Sequence, residues 1–415
     1  SETVDSAASH FRSSNSFREN AHAQARHISS EEFIHWYASI QKPMIVVGAE
    51  PTPMQWKQIL PKLLEHPNAR IITETGASVF GWDFDEASLI QSRLVAGWKS
   101  ILTTQNAPSS EIDGIILMGK EAISPELQHW LLNCKNASHV RCQTHESFEN
   151  SQHLPCRFWS PEQQKQWLTM SSPELQWPKY SQKWHQDWKD LELLQPEKNR
   201  TYFQSNSKLT DGAVMHALGA ILPPEVFVFF SNSFPVRDQE LFRPEWSKTH
   251  QLISQRGAAG IDGISSTAIG VSLALKRPGV VLTGDISFLY DSNSLLSGRI
   301  LSHPLLIIVF NNGGGSIFKM LPVYTSEPEH IAWFQTPQQV QIQDLARAHG
   351  ISYKGVTSLE ELSNPSLSHW IHESLDFTAN IIDDKGSQNL RILEFFTDDE
   401  SSIHERTILG AGGFP

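Results

Sequence analysis

The chain predicts an α/β protein built from two parallel-sheet units, and three observations carry that expectation. Short apolar runs of strand length alternate with stretches of helical spacing from about residue 43 to the end. The runs are apolar at consecutive positions, as in strands buried on both faces of a parallel sheet. At 415 residues the chain is long enough for two or three domains and a sizeable core.

Ser1 to Ser30 is rich in Ser, Asn, His and Arg, has little apolar periodicity, and reads as a linker or ragged terminus. A first domain is expected over 31–157. Its strands are Met44 to Gly48, Ala69 to Thr73, Gly114 to Met118 and a short one at His139-Val140, with helices over Met54 to Leu64 and Pro125 to Leu132. Residues 158–200 are polar, rich in Gln and Pro, and read as a connector. Trp184 and Trp188 there lie one helical turn apart and are expected to pack on a neighbour. A second domain is expected over 201–415. It starts with a helix near Asp211 to Leu222, a strand at Val226 to Phe230 and a helical turn over Ser231 to Leu241. A glycine-rich turn and a helix from Ile264 to Leu275 come next. Strands Val280 to Thr283 and Leu305 to Phe310 flank a helical stretch from Ser292 to Leu301, and a helix near Val340 to His349 and a strand at Leu390 to Phe396 close the series.

The net charge is -12 and Lys and Arg form no blocks, which argues against nucleic acid as the main partner. No apolar run approaches the ~18 residues of a membrane span, and the first thirty residues lack the apolar core of a signal peptide. The three cysteines, Cys134, Cys142 and Cys156, have no metal-binding spacing and read as reduced thiols of a cytoplasmic protein. The thirteen tryptophans are scattered and read as core and inter-domain packing.

The richest chemical signal is Gly284-Asp285-Ile286, followed twenty-seven positions after Asp285 by Asn312. An acid ends one apolar strand and an amide ends the next, where open α/β sheets bind ligands. Both are hard oxygen donors, the kind Mg²⁺ takes while it holds phosphates. Alone, each has a plainer reading: an Asp capping a helix, an Asn-Gly turn. Gly257, Gly260 and Gly263 invite a dinucleotide reading, but their spacing departs from the Rossmann fingerprint and no P-loop Lys follows.

The Gly-Asp pair and the Asn-Asn that follows at this spacing resemble the diphosphate-binding motif of thiamine diphosphate enzymes, although Ile286 stands where Gly is frequent. Arg256-Gly257-Ala258-Ala259-Gly260-Ile261-Asp262-Gly263, Gly284 to Asp291 and Asn311 to Phe318 together resemble the SEPHCHC synthases of menaquinone biosynthesis, most closely over about Lys208 to Pro322. The resemblance implies two Rossmann-like parallel-sheet domains, middle and diphosphate-binding, and a cytoplasmic homodimer or homotetramer. It implies a thiamine diphosphate- and Mg²⁺-dependent transferase, with Mn²⁺ as an alternative cation. The reaction would join 2-oxoglutarate to isochorismate with loss of carbon dioxide. The alternatives are another thiamine diphosphate lyase or decarboxylase of the acetolactate synthase kind, or a non-catalytic subunit that keeps the fold.

Carried over residue by residue, the resemblance makes Asp285, Asn312 and the Gly314 carbonyl the metal ligands. Gly284 and Ser287 flank the diphosphate, and Ile261 is an apolar wedge under the bent cofactor. Ser233, Arg237 and Arg256 would hold the carboxylated substrates, a use that suits guanidinium forks. Ile317, Phe318 and Leu321 would wall the isochorismate ring. Ordinary core packing is the plainer reading of Ile261 and of these three, and a surface ion pair that of a lone Arg.

Two departures stand out. The family's middle domain carries a basic pair where this chain has Pro125 and Glu126. A Glu there is expected to repel an anionic substrate, and Lys120 lies near but out of register. The family's pyrimidine domain, which supplies a catalytic Glu and lies N-terminal to the others, is expected to be absent, so no catalytic residue is assigned. The chain then needs that domain in cis or in trans.

Overall fold

The computed structural model describes residues 26–48, 56–75, 90, 92–95, 97–102, 107–143, 155–170, 176–247, 249–325, 327–376 and 389–410. The expectation on residues 1–25 and the start of the helix placed at Met54 lie outside them.

The first sheet has five parallel strands: β1 (Pro43–Val47), β2 (Arg70–Thr73), β3 (Gly114–Met118), β4 (Ser138–Cys142) and β5 (Cys156–Trp159). Their order is β2-β1-β3-β4-β5. Every residue of β1, β2 and β3 is buried, as the unbroken apolar runs require of strands covered on both faces. The cover comes from α1 (Ser30–Ser39), α2 (Trp56–Leu64), α3 (Trp98–Leu102), α4 (Pro125–Asn133) and α5 (Pro161–Thr169). A capping box starts α1: the Ser29 hydroxyl accepts from the Glu32 N–H and the Glu32 carboxylate from the Ser29 N–H.

Residues 158–200 do more than connect. Phe158 and Trp159 finish β5, and Phe33 stacks on Trp159 at 3.8 Å between centroids. The stretch then runs into α6 (Gln182–Ser205), a 24-residue helix with Pro196 in its interior. Its first half buries Trp184 and Trp188 against the first sheet's core. Its second half turns Asn199 to the carbonyls of Leu241 and Phe242, at 3.1 and 2.9 Å, beside the second sheet. The Gln-rich composition hid this because the helix buries only a narrow stripe.

The second sheet has six parallel strands: β6 (Phe227–Phe230), β7 (Gln251–Ser254), β8 (Gly279–Gly284), β9 (Leu305–Asn311), β10 (Ser352–Val356) and β11 (Leu390–Phe396). Their order is β10-β11-β9-β8-β6-β7. The helices around it are α7 (Asp211–Ile221), α8 (Phe234–Phe242), α9 (Ile264–Leu275), α10 (Asp285–Tyr290), α11 (Ile342–Ala348), α12 (Leu359–Ser363), α13 (Pro365–Leu375) and α14 (Asp399–Leu409). Strands β7 and β10 and helices α12, α13 and α14 were not foreseen: β7 and β10 are short and only partly buried at the sheet edges, so the apolar run that marks a central strand is missing. From β6 the chain steps out to the edge at β7 and returns across β6 to β8. That reversal makes a topological switch point between β6 and β8, where such sheets open a crevice beyond their carboxyl ends.

Candidate functional site

Every residue singled out from the Gly-Asp, Asn-Asn and glycine-turn segments lies at a carboxyl end of β6, β7, β8 or β9. Parallel register places Gly284 opposite Phe310, so Asp285 and Asn311-Asn312 leave the sheet side by side. Asp285 begins α10 with Gly284 as its N-cap residue, and Ser287 lies inside this helix, buried, rather than at its start. Gly313 and Gly314 have φ of +84° and +135°, conformations that favour glycine. A side chain at Gly284 or at Gly313 would meet open space.

The Asp285 carboxyl is buried, and burial pushes it up to about 7, opposed by the N–H of Ile286 and pushed further by Asp211, with the Gly314 N–H also opposing. The Ile286 N–H donates to it at 2.8 Å. A buried acid that meets two backbone N–H groups and a second carboxylate, Asp211, is a site short of positive charge. Asn312 donates its Nδ2 to Asp211 Oδ2 at 2.9 Å, and its Oδ1 accepts from Ser316 Oγ at 3.2 Å. The Gly314 carbonyl accepts from the Ser316 N–H at 2.9 Å and has a second lone pair to offer.

Among the described residues no group of three or more His, Cys, Asp or Glu is placed to hold a metal ion. A set of one carboxylate, one amide oxygen and one backbone carbonyl is instead what Mg²⁺ accepts when phosphates complete its shell. The residues present therefore fit a diphosphate held through a hard cation.

Ser233, at the end of β6, has φ of +71° and ψ of -133°, a strained conformation for any residue but glycine. It precedes α8 without capping it, and its carbonyl accepts from Arg237 Nη1 at 2.6 Å. Burial and the neighbouring Arg256 guanidinium both lower the proton affinity of Arg237, so two cations stand close together. The glycine turn after β7 is tied to β6 by Asn232, whose Nδ2 donates to the carbonyls of Ala258 and Gly260 at 2.8 and 2.6 Å. Ile261 is half-buried and belongs to none of the hydrophobic clusters of the described residues. The same holds for Ile317, and Phe318 and Leu321 are 36% and 41% exposed. Phe318 meets Phe334 edge-on, at 5.7 Å between centroids.

The carboxyl ends of β2 and β3 approach this site from the first sheet. A Cβ built on Gly257 would lie 3.6 Å from Lys120 Nζ, which puts the amine beside the Arg256-Gly257 turn. Pro125 occupies the first turn of α4. Glu126 lies 3.5 Å from Lys99 Nζ and accepts from the Ser124 hydroxyl. Burial raises its carboxyl, but Lys99 and Ser124 outweigh burial and hold it below the ordinary value. The Glu126 charge is thus paired with Lys99, and Lys120 brings a cation to the glycine turn.

Two acids that sequence reasoning passed over lie between the sheets. Glu240 accepts from the N–H and hydroxyl of Thr75, at 3.2 and 2.8 Å. Glu74 accepts from the N–H groups of Ile123 and Ser124, at 3.0 and 2.7 Å, while burial and Glu240 push it up to about 7. Neither lies in a motif. The one signal for Glu74 was its place at the end of an apolar strand, where a buried charge needs a reason.

The sequence that builds this site has counterparts. Residues 244–376 match the thiamine pyrophosphate enzyme family's C-terminal TPP binding domain, so the chain carries a domain of that class. Beyond it, the chain is distantly related to 2-succinyl-5-enolpyruvyl-6-hydroxy-3-cyclohexene-1-carboxylate synthases. With the synthase of Prochlorococcus marinus it is 29% identical over 302 residues, 70% of this chain and 51% of the relative. With that of Bacillus pumilus it is 36% identical over 159 residues, 38% and 27% of the two chains. With that of Synechocystis it is 41% identical over 145 residues, 35% and 24%. Over its longer matches the chain spans about half the length of these curated relatives. Among the described residues no helix is long and apolar enough to cross a membrane.

Proposed function

We propose that this chain is the diphosphate-binding part, with a middle domain, of a thiamine diphosphate-dependent synthase that joins 2-oxoglutarate to isochorismate with loss of carbon dioxide. The observation that carries the reading is the pair Asp285 and Asn312, leaving adjacent parallel strands side by side within the matched TPP-binding stretch. Asp285, Asn312 and the Gly314 carbonyl would hold Mg²⁺, and the glycines at 284 and 313 give the diphosphate room to approach. The bound cofactor supplies the chemistry by which a 2-oxo acid loses carbon dioxide. The chain's own residues bind and orient. Arg237 and Arg256, with Lys120 beside the glycine turn, present cations to the carboxylates of both substrates. Phe318 and Leu321 offer an apolar face for a ring. Domains over 31–157 and 201–415, braced by the stretch 158–200, agree with this division of labour, and a pyrimidine domain in cis or in trans would complete the pocket.

The test is calorimetric titration of the chain with thiamine diphosphate, with and without Mg²⁺, beside Asp285→Ala. Binding that needs Mg²⁺ and is lost in the variant is expected. Unchanged Mg²⁺-dependent affinity in Asp285→Ala sinks the metal assignment. Consumption of isochorismate in the presence of 2-oxoglutarate, with a pyrimidine domain added, tests the reaction itself.

A further inference from the structure

Asn312 has an amide with two unlike ends, and only the oxygen can face a hard cation. We infer that Asp211 is a positioning residue that decides which end does: by accepting the Asn312 Nδ2–H, it turns the Asn312 oxygen toward the cation site. The inference rests on the cofactor reading above.

Asp211 opens α7 and is 1% exposed. An ionised carboxylate accepts and cannot donate, so a neighbouring amide must offer it the nitrogen. Asn312 does, at 2.9 Å. A half-turn of the amide would set oxygen against carboxylate and NH₂ against the cation, unfavourable at both ends. Asp211 cannot yield, because it is held on every side. Its Oδ1 accepts from Thr397 Oγ1 at 2.5 Å and its Oδ2 from Arg406 Nη2 at 2.7 Å. Its own N–H donates to Ser402 Oγ at 3.0 Å. Arg406 is fixed in turn by Asp238, through Nε to Oδ1 at 2.9 Å, and its guanidinium lies 3.5 Å from the Phe234 ring centroid. The brace thus runs from α14 and α8 through Asp211 to the end of β9. All of its members, Asp211, Asp238, Thr397, Ser402 and Arg406, lie outside the matched stretch 244–376. Fixing a ligand from behind is how metal sites set the orientation of side chains that could otherwise turn.

The experiment compares Asp211→Asn, Asp238→Asn and the exchange Asp211→Asn with Asn312→Asp, all in the full chain. Mn²⁺-dependent binding of thiamine diphosphate is titrated, urea unfolding is followed, and the Asn312 side-chain amide is observed after selective ¹⁵N-asparagine labelling. Asp211→Asn is expected to weaken Mn²⁺-dependent binding at least tenfold. Asp238→Asn, which disturbs the same buried network without touching Asn312, is expected to lower stability with affinity kept within about twofold. The exchange puts an oxygen back toward the cation and is expected to recover most of the loss. The Asn312 amide of the unsubstituted chain should exchange slowly and lose that protection in Asp211→Asn. Equal loss of affinity in Asp211→Asn and Asp238→Asn, failure of the exchange to recover it, or an unprotected Asn312 amide overturns the inference. Absence of any Mn²⁺-dependent binding by the unsubstituted chain instead overturns the cofactor reading, and the amide resonance then decides the orientation by itself.

Discussion

The first sheet is braced by indole rings. Trp184 and Trp188 of α6 meet edge to face at 5.6 Å and are buried against β1 and α4 side chains, and Trp159 lies between Phe33 and Trp167. The second sheet is braced by charge. Arg406 of α14 reaches Asp211 and Asp238, at 2.7 and 2.5 Å, and all three are buried. Both sheets bury apolar strands, so packing alone would have served both. The first sheet has an ion pair of its own, Arg70 of β2 with Glu192 of α6, but the Arg406 brace with two carboxylates stands behind the sheet whose strand ends carry Asp285 and Asn312. Buried polar groups fix direction as well as distance, which a ring contact does not. The second sheet keeps its apolar packing and adds buried charge that fixes orientation at its carboxyl ends.

Removing one partner from each brace is the most forceful way to break this contrast. Arg406→Ala leaves two buried carboxylates without their cation and should cost about 3–5 kcal/mol in urea unfolding. Trp188→Ala leaves a cavity and should cost a similar ~3–5 kcal/mol. The two differ in a second measurement: Arg406→Ala should abolish Mg²⁺-dependent binding of thiamine diphosphate under folded conditions, and Trp188→Ala should spare it. Loss in both would mean that the brace is merely structural.

The inter-sheet contact gives the next largest effect. The Glu74 carboxyl is raised by burial to about 7 from an ordinary 4.5. Between those values the folded chain keeps a proton that the unfolded chain has released. This group therefore lowers stability as pH rises from about 4.5 to about 7, and its effect is level above that. In Glu74→Gln the slope should vanish, so the variant gains on the parent by up to about 3 kcal/mol across the window. Unfolding free energies at pH 5 and pH 8 decide it; a constant difference between parent and variant would show that Glu74 is ionised throughout.

At the site itself, Arg237→Ala should weaken use of the anionic substrates by about 1.5–3 kcal/mol, roughly ten- to hundredfold in kcat/KM. Cofactor affinity should hardly move. This is measured with the pyrimidine domain present, and equal losses for substrate and cofactor would remove Arg237 from the substrate role. The smallest effect expected is a gain. Ser233→Gly relieves the strained backbone and should stabilise the chain by about 1 kcal/mol, seen as a higher Tm.

Much of the second sheet was legible in the chain. The runs Val280 to Thr283 and Leu305 to Phe310 are buried from end to end, and α9 begins at Ile264 and closes at Leu275 as its spacing required. Asp285 and Asn312 could be paired in advance because a parallel sheet brings consecutive strand ends together, whatever surrounds them. Residues 158–200 were less legible, since a helix that buries one narrow stripe among Gln and Lys resembles a linker.

By itself, then, the sequence determined the periodicities, the strand ends and the residue types standing on them, because these depend on neighbours a few positions away. Tertiary structure decided the partnerships that span the chain: Asn312 with Asp211 across 101 residues, Arg406 with Asp211 across 195, and Thr75 with Glu240 across 165. It also carried Lys120 to the glycine turn and gave Glu126 its Lys99. The physical reason is that a charge is defined by what lies within a few ångströms of it. Which strand order, crossover and helix bring that partner close is settled only when the whole core is buried.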